Sequence, residues 1–296
     1  MRASIFRSRV LLRLSRQPVT VLALATLVAI LVVGVLAPEL APRGWNSIDL
    51  TPRWQNHPPT FVKYKLFGTD NLGRSMLVRT LWGLHFSEQV SVVGALLATA
   101  VGLLVGAFAG YYGGLLDAAL MRLTDLVNGL PVIIVMLVAF TFLQPMTIWK
   151  ATLVFALSLW TFVARVVRAR IASLRSEEFV GAARALGASD LRILTRHVLP
   201  NAAGAVVVSF TSLIGQIAMV EATTEFLGFG VDSAVRPTLG NLIGGATSTG
   251  IGIYNAVSLG WWTWGGPALV LVLLLVSVNL GGDGVDAALA PRPRRG

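Results

Sequence analysis

The sequence contains no cysteine, which removes disulfides, thiolate metal sites and catalytic thiols from consideration. Charge is scarce: Asp, Glu, Lys and Arg together make up 13% of the residues, against about 25% in soluble domains. Lysine is nearly absent, with Lys63, Lys65 and Lys150 alone. None of them follows a glycine, so the chain lacks the G-x-x-x-x-G-K-[ST] loop that cradles nucleotide phosphates. The three histidines, His57, His85 and His197, are spread too widely for metal-ligand spacing, and Ser-His-Asp catalysis has no local signature. These absences predict no catalytic residue, no metal site and no cofactor held by this chain.

What is abundant is apolar. Hydrophobic residues are 55% of the chain and the mean hydropathy is +0.73, a membrane composition. Six stretches approach the roughly 20 residues a helix needs to span a bilayer: 18–38, 88–110, 126–143, 148–166, 203–227 and 259–280. The third is the weakest, interrupted by Asn128, Gly129 and Pro131. Unpaired backbone is not tolerated in lipid, so the spans should be helices; runs this long do not fit a barrel of roughly ten-residue alternating strands. The expected architecture is all-α and membrane-integral, with six transmembrane helices. The N-terminal apolar run of about 20 residues exceeds the 7–15 of a signal peptide and reads as a retained span.

The formal net charge of +10 is distributed as topology would have it. Residues 1–17 carry five arginines and no acid, the 166–202 loop carries Arg168, Arg170, Arg175, Arg184, Arg192 and Arg196, and the chain ends PRPRRG. Placing these segments inside satisfies the positive-inside rule and makes nucleic acid an unnecessary partner. Both termini are then cytoplasmic in an inner-membrane protein. The division is a cytoplasmic N-terminus (1–17), a first span (18–38), an extracytoplasmic loop (39–87), a five-helix core (88–280) and a cytoplasmic tail (281–296). The basic residues of 39–87 run against the rule, which long loops obey poorly.

Along the chain, the Pro-rich stretch APRGWNSIDLTPRWQNHPPT should be irregular and solvent-exposed. Leu72, Met76, Leu77 and residues 79–81 suggest either a short surface helix or simply the approach to span two. Within that span Gly94, Ala98, Gly102, Gly106 and Gly110 recur every four residues, a face that lets another helix approach closely. Asp117, Arg122 and Asp125 fit solvated or locally paired charges. Residues 177–201 read EEFVGAARALGASDLRILTRHVLPN. Phe179, Ala182, Ala183 and Leu186 make one apolar face, Gly187 stands at a helix C′ position, and Ser189 or Asp190 can cap a second helix. Leu191, Leu194 and Val198 form the second stripe, which Pro200 should end. Such a hairpin has to bury its apolar face against membrane or another protein. Glu221 and Glu225 sit one turn apart near the end of span five; intramembrane carboxylates are candidates for a pathway or gate, against the simpler reading of two solvated or hydrogen-bonded interfacial acids. Trp261, Trp262 and Trp264 suggest an interfacial belt.

GAARALGASDLRILTRHVLPN resembles the cytoplasmic signature loop of binding-protein-dependent ABC transporter permeases: EAA, three residues, G, nine residues, an aliphatic residue, any residue, then LP. Ala182, Ala183, Gly187, Leu199 and Pro200 match in register; Gly181 replaces the glutamate and His197 the aliphatic residue. FGTDNLGRSMLVRTLWG, GYYGGLLDAALMRLTDL, EATTEFLGFGV and VNLGGDGVDAALAPR resemble further signatures of the dipeptide, oligopeptide and nickel branch, in order from about residue 66 to 292. The resemblance implies a type I importer permease of the MetI-like fold. It implies that Glu178, Gly181, Ala182, Ala183, Leu186, Gly187, Ala188, Asp190, Arg196, Leu199 and Pro200 serve coupling to an ATP-binding subunit. It further implies a second homologous permease, two ATP-binding subunits that bind ATP and Mg, and an extracytoplasmic substrate-binding protein. Peptide is the expected cargo, with nickel or another small solute as the alternative. From other classes come an ion-coupled secondary transporter using Glu221 and Glu225, and a membrane scaffold without transport. If the hairpin couples, Gly187→Pro or Ala183→Arg abolishes transport while the protein still inserts; normal uptake by vesicles carrying either variant would refute that role.

Overall fold

The computed structural model describes residues 17–41, 44–231, 236–248 and 260–289; the arginines of residues 1–16 and the PRPRRG tail lie outside them. The regular elements among the described residues are all helices. Five helices are long and apolar enough to cross a bilayer, and a bent pair makes a sixth span if counted as one. Helix α1 (Pro18–Leu40) starts on Pro18, whose fixed φ suits a first turn. It buries a narrow stripe of Thr20, Ala23, Leu27, Gly34 and Ala37. Its other faces leave Leu22 and Val35 about two-thirds exposed, at 68% and 69%, as a lipid-facing helix must.

Helix α2 (Met76–Tyr112) is one continuous element, which decides for the approach to span two over a separate surface helix and moves the start of that span from 88 back to 76. The surface helix and a span opening at 88 are the same helix, about 55 Å long. Ser75 caps it, accepting from the Val78 amide, and neither Gly nor Pro interrupts its early turns in a way that stops it. The hydropathy count stopped short because the first turns are polar, yet Arg79, Thr80, Ser87, Glu88 and Ser91 are all buried. Gly113 and Gly114, at φ +69° and +57°, make a left-handed turn into α3 (Gly114–Asn128), which breaks through 73° into α4 (Val132–Phe142). Pro131 stands at that break as the N-cap of α4, so the weak third span is a broken one.

Helix α5 (Ile148–Arg175) runs parallel to α2. A Cβ added at Gly102 would lie 2.6 Å from the Trp160 carbonyl, at Gly106 2.5 Å from that of Ala164, and at Gly110 2.6 Å from that of Arg168. The partner advances four residues each time, so two rows interlock with backbone touching backbone. Gly94 faces Thr152 and Ile217 in the same packed interior, and Ala98 is fully buried. Asp117 pairs with Arg168, accepting from Nε and Nη2 at 2.5 Å each, and Asp125 with Arg165 at 2.9 Å. These ion pairs join α3 to α5 rather than closing within one helix.

After α6 (Glu178–Ala185) and the four-residue α7 (Asp190–Ile193), a π turn at Leu194–Val198 leads into α8 (Leu199–Phe226). Pro200 therefore does not end the second hairpin helix; 190–226 is one rod. Proline cannot bond the carbonyl four residues back and its ring crowds it. The widened turn, with the Leu199 amide bonded to Leu194, absorbs both defects, and Asn201 Nδ2 bonds the His197 carbonyl at 2.6 Å. A helix absent from the sequence reading, α9 (Leu239–Ser248), lies against α8. Its Gly240 and Gly244 bring added Cβ atoms to 2.6 Å of Ala222 Cα and 2.8 Å of Phe226 Cα. Helix α10 (Trp261–Leu289) extends the sixth span past residue 280 and packs antiparallel on α1 through Gly281 and Gly284.

The stretch 44–60 is irregular and largely exposed, as the sequence suggested, whereas 61–75 is anchored. Thr69, fully buried, accepts the His57 amide at 3.0 Å, donates to the Trp54 carbonyl at 2.5 Å, and its own carbonyl accepts Trp262 Nε1 at 3.1 Å. Trp262 is thus a strut between this stretch and α10. Asp70 collects the amides of Leu72 and Arg74 and the Arg74 guanidinium. Lys65 lies 3.2 Å from the Trp54 ring centre and 3.7 Å from Asp49; burial there lowers the pKa of its ammonium, and Asp49 works against that shift.

The glycine row yields a prediction. Gly106→Ala should cost about 1–3 kcal/mol, because the obstructing atom is backbone and cannot swing away. Gly181→Ala, with nothing within 4 Å of its added Cβ, should cost nothing measurable. Thermal unfolding of both variants in the same detergent separates the two expectations; equal midpoints would disprove the backbone contact.

Candidate functional site

At one end of the bundle the hairpin 177–201 stands clear of the membrane-length helices, held by three devices. Gly187 adopts φ +78°; with it the Ala188 amide reaches the Ala183 carbonyl at 3.1 Å and the Gly187 amide that of Arg184 at 3.0 Å, the bonding of a Schellman cap. Tyr111, on the last turn of α2, donates its hydroxyl to Asp190 Oδ1 at 2.7 Å, and Arg184 lies 3.6 Å from the same oxygen. Ser189 occupies the N-cap of α7 but makes no side-chain cap bond, and Asp190 is occupied with Tyr111. The third device is apolar: Val180, Ile193, Leu194 and Val198 are buried, with Ala183 and Ala188 half-buried against the same core.

This arrangement corrects the two stripes read from periodicity. Val180 rather than Phe179 anchors the first helix, and Ile193 rather than Leu191 joins Leu194 and Val198 in the second. Phe179 is 37% exposed, Leu191 60% and Leu186 89%, and Ala182 is exposed beside them. The hairpin is amphipathic in both directions, with one apolar set clamped to the bundle and another turned outward. Arg184, Arg192 and Arg196 are exposed around the outward set, as are Glu178, Gly181 and Pro200, while Leu199 is half-buried.

Glu221 and Glu225 are not part of this site. They lie about 45 Å away along the same rod, and both are buried, at 2% and 6% exposure. Of the simpler reading of the pair, the solvated alternative therefore fails, while the hydrogen-bonded one holds for Glu221. Glu221 accepts from the hydroxyl of Ser87 on α2 at 3.0 Å, a contact 134 residues distant that no local pattern announces. Tyr111, Val180 and Ile193 were likewise passed over, although Tyr111 lies inside one of the quoted signatures. Among the described residues no group of His, Asp and Glu could hold a metal ion.

Residues 102–295 match the family model described as the binding-protein-dependent transport system inner membrane component. The chain belongs to that family. The permease is 31% identical over 285 residues to the dipeptide transport system permease protein DppC of Bacillus subtilis (strain 168), spanning 96% of this chain and 85% of the relative. It is 33% identical over 293 residues to the oligopeptide transport system permease protein OppC of Mycobacterium tuberculosis (strain H37Rv), spanning 97% and 95%. Its fold matches a chain of the inward-facing MetNI methionine ABC transporter with a TM-score of 0.59 at 20% identity, covering 73% of this chain and 98% of that one.

The permease is thus a multi-pass inner-membrane subunit of an ABC importer, without an ATPase of its own, working with ATPase and substrate-binding partners. The secondary-transporter and scaffold alternatives are set aside. If Tyr111 steadies the hairpin, Tyr111→Phe should lose about 1 kcal/mol of local stability and speed amide exchange in 186–193 roughly fivefold, leaving α5 unchanged. Exchange mass spectrometry reads this directly, and an unaltered hairpin would exclude the hydroxyl as a clamp.

Proposed function

We propose that this permease imports di- or oligopeptides and that its hairpin is the surface on which an ATP-binding subunit docks. The carrying observation is the rigid presentation of Leu186, Leu191 and Phe179 away from the bundle, within an arginine-rich rim. An apolar side chain left 89% exposed on a clamped helix end is explained by a groove that receives it. Closure and opening of the ATP-binding pair would then move α7 and α8 as one rod, because the π turn lets the helix pass Pro200 unbroken. The coupling residues are Glu178, Gly181, Ala182, Ala183, Leu186, Gly187, Ala188, Asp190, Arg196, Leu199 and Pro200. At Gly181, where the signature pattern has glutamate, the position is open, so the missing carboxylate removes an outward contact and no internal one.

In this reading the hairpin end is cytoplasmic, both termini lie on that side, and 44–75 with α9 faces outward. The assembly is a heterodimer with a second homologous permease, two ATP-binding subunits holding ATP and Mg, and an extracytoplasmic substrate-binding protein. Peptide is favoured over nickel because the relatives that span nearly the whole chain are named for dipeptides and oligopeptides. Leu186→Asp is the informative variant, since Leu186 supports nothing inside the bundle, whereas Ala183 is half-buried. Removing such an anchor should cost about 2 kcal/mol, or roughly thirtyfold in subunit association. The tagged chain is purified from its native membrane in mild detergent, and uptake of a labelled dipeptide is followed in parallel. Loss of the ATPases and of uptake, with insertion intact, is expected; undiminished co-purification with Leu186→Asp would dispose of the docking role, and uptake of nickel in place of peptide would reassign the cargo.

A further inference from the structure

One face of α8 is left open among the described residues. Its other sides meet α2, α5, α9 and α10: Ile217 reaches Gly94 of α2, Gly215 meets Val278 of α10, and Ala222 receives Gly240 of α9. The remaining face carries Val208, Ser212, Gln216, Met219 and Thr223, three or four residues apart and so in one line along the helix. Gln216 and Met219 are exposed and the other three partly so. Ser212 and Gln216 sit near the middle of this 28-residue helix. Among the described residues the Gln216 carboxamide and the Ser212 hydroxyl make no hydrogen bond, and Thr223 bonds the Met219 carbonyl one turn back at 2.8 Å.

Lipid is a poor neighbour for such a face. The exposed side chains of other spans are aliphatic, as with Leu22, Val28 and Val35 on α1 and Leu97, Val101 and Leu104 on α2. A free carboxamide in hydrocarbon leaves two donors and an acceptor unsatisfied. Polar side chains at that depth face a water-filled cavity or a partner that replaces water. A second helix fits less well than an extended chain. This protein joins its spans through glycine rows, backbone on backbone, at Gly102, Gly106 and Gly110 and again at Gly240 and Gly244; the open face of α8 holds no glycine. A helix also arrives with its backbone groups already paired, whereas an extended peptide arrives with a donor and an acceptor on each residue to satisfy.

We propose, resting on the reading of this chain as a peptide importer, that the open face of α8 lines the translocation pathway and that Gln216 hydrogen-bonds the backbone of the passing peptide. A glutamine side chain ends in the group that a peptide bond contains: its nitrogen donates to a carbonyl and its oxygen accepts an N–H. Ser212 stands about 6 Å away along the helix, close to the roughly 7 Å at which an extended chain repeats the groups on one of its sides. The pair thus offers successive contacts to one edge of the cargo, as main-chain recognition requires. Met219, unbranched and polarizable, receives cargo side chains of different shape. Contacts to the backbone, with a pliable neighbour for the side chains, let one pathway pass peptides of many sequences. The face carries no charge, so it neither traps nor repels an ionised cargo residue.

The chain has no cysteine, so Gln216→Cys gives it a single thiol. In the full complex in lipid nanodiscs, with both sides open to reagent, a charged maleimide should modify position 216 rapidly. A saturating dipeptide, supplied with the binding protein and ATP, should slow that modification. Leu22→Cys, on the lipid face of α1, should stay unmodified. A second measurement compares uptake into proteoliposomes of a labelled dipeptide and of its ester analogue, which lacks the N–H. Gln216→Leu should narrow the preference for the dipeptide about fivefold, the worth of one neutral hydrogen bond, and Gln216→Asn should restore part of it. Absence of modification at 216 in a complex that imports dipeptide would overturn the proposal, whether lipid or the second permease covers the face. An unchanged preference in Gln216→Leu would overturn it as well. Rapid modification that no dipeptide slows, in a complex that imports nickel instead, would overturn it through the cargo and leave α8 on the pathway.

Discussion

Two parallel helices that touch backbone to backbone hold this molecule together. In lipid no water is released when apolar side chains meet, so helix association relies on close contact. Gly102, Gly106 and Gly110 provide it by placing α2 directly on the carbonyls of α5. The consequences propagate in both directions. Because α2 and α5 are locked together, the charged residues towards their hairpin ends stay in register, and Asp117 and Asp125 of the broken α3–α4 span find Arg168 and Arg165. Tyr111, one residue past the last glycine of the row, is placed where it can hold Asp190 of the hairpin.

The hairpin shows how a small element is fixed to a bundle while keeping an outward apolar face. Its inward side chains, Val180, Ile193, Leu194 and Val198, fasten it to the core, while the cap at Gly187 fixes the angle between its two helices. The rod that follows passes Pro200 by widening into a π turn, so α7 continues into α8 with no flexible joint between. The defect that proline introduces is repaired locally, by Asn201 and the shifted Leu199 bond, and the continuity of the rod is the result.

At the other end polar groups do the joining. Ser87 touches α8 and α9 at once, Thr238 and Asn241 cap α9 reciprocally, and Thr69 ties the 44–75 segment to α10 through Trp262. Each contact is worth more where water is excluded and costs more when broken. The glycines of α9 repeat on a small scale the device that joins α2 to α5.

Much of this was legible in sequence. Hydropathy located six apolar segments, small residues every four positions marked the close-packed face of α2, and a glycine after a short apolar period marked the hairpin turn; each signal is periodic and local. The signature segments were enough to point to the permease family. Tertiary structure alone decided which residues of the hairpin face inward, because Val180 and Phe179 are equally apolar and only the position of the bundle distinguishes them. It alone extended α2 back to Met76, since polar residues such as Arg79 and Glu88 lower a hydropathy average whether or not they are buried. It alone revealed α9 and the withdrawal of Glu221 and Glu225 from water, because burial of a carboxylate is a property of what packs around it, and Ser87 lies 134 residues away along the chain.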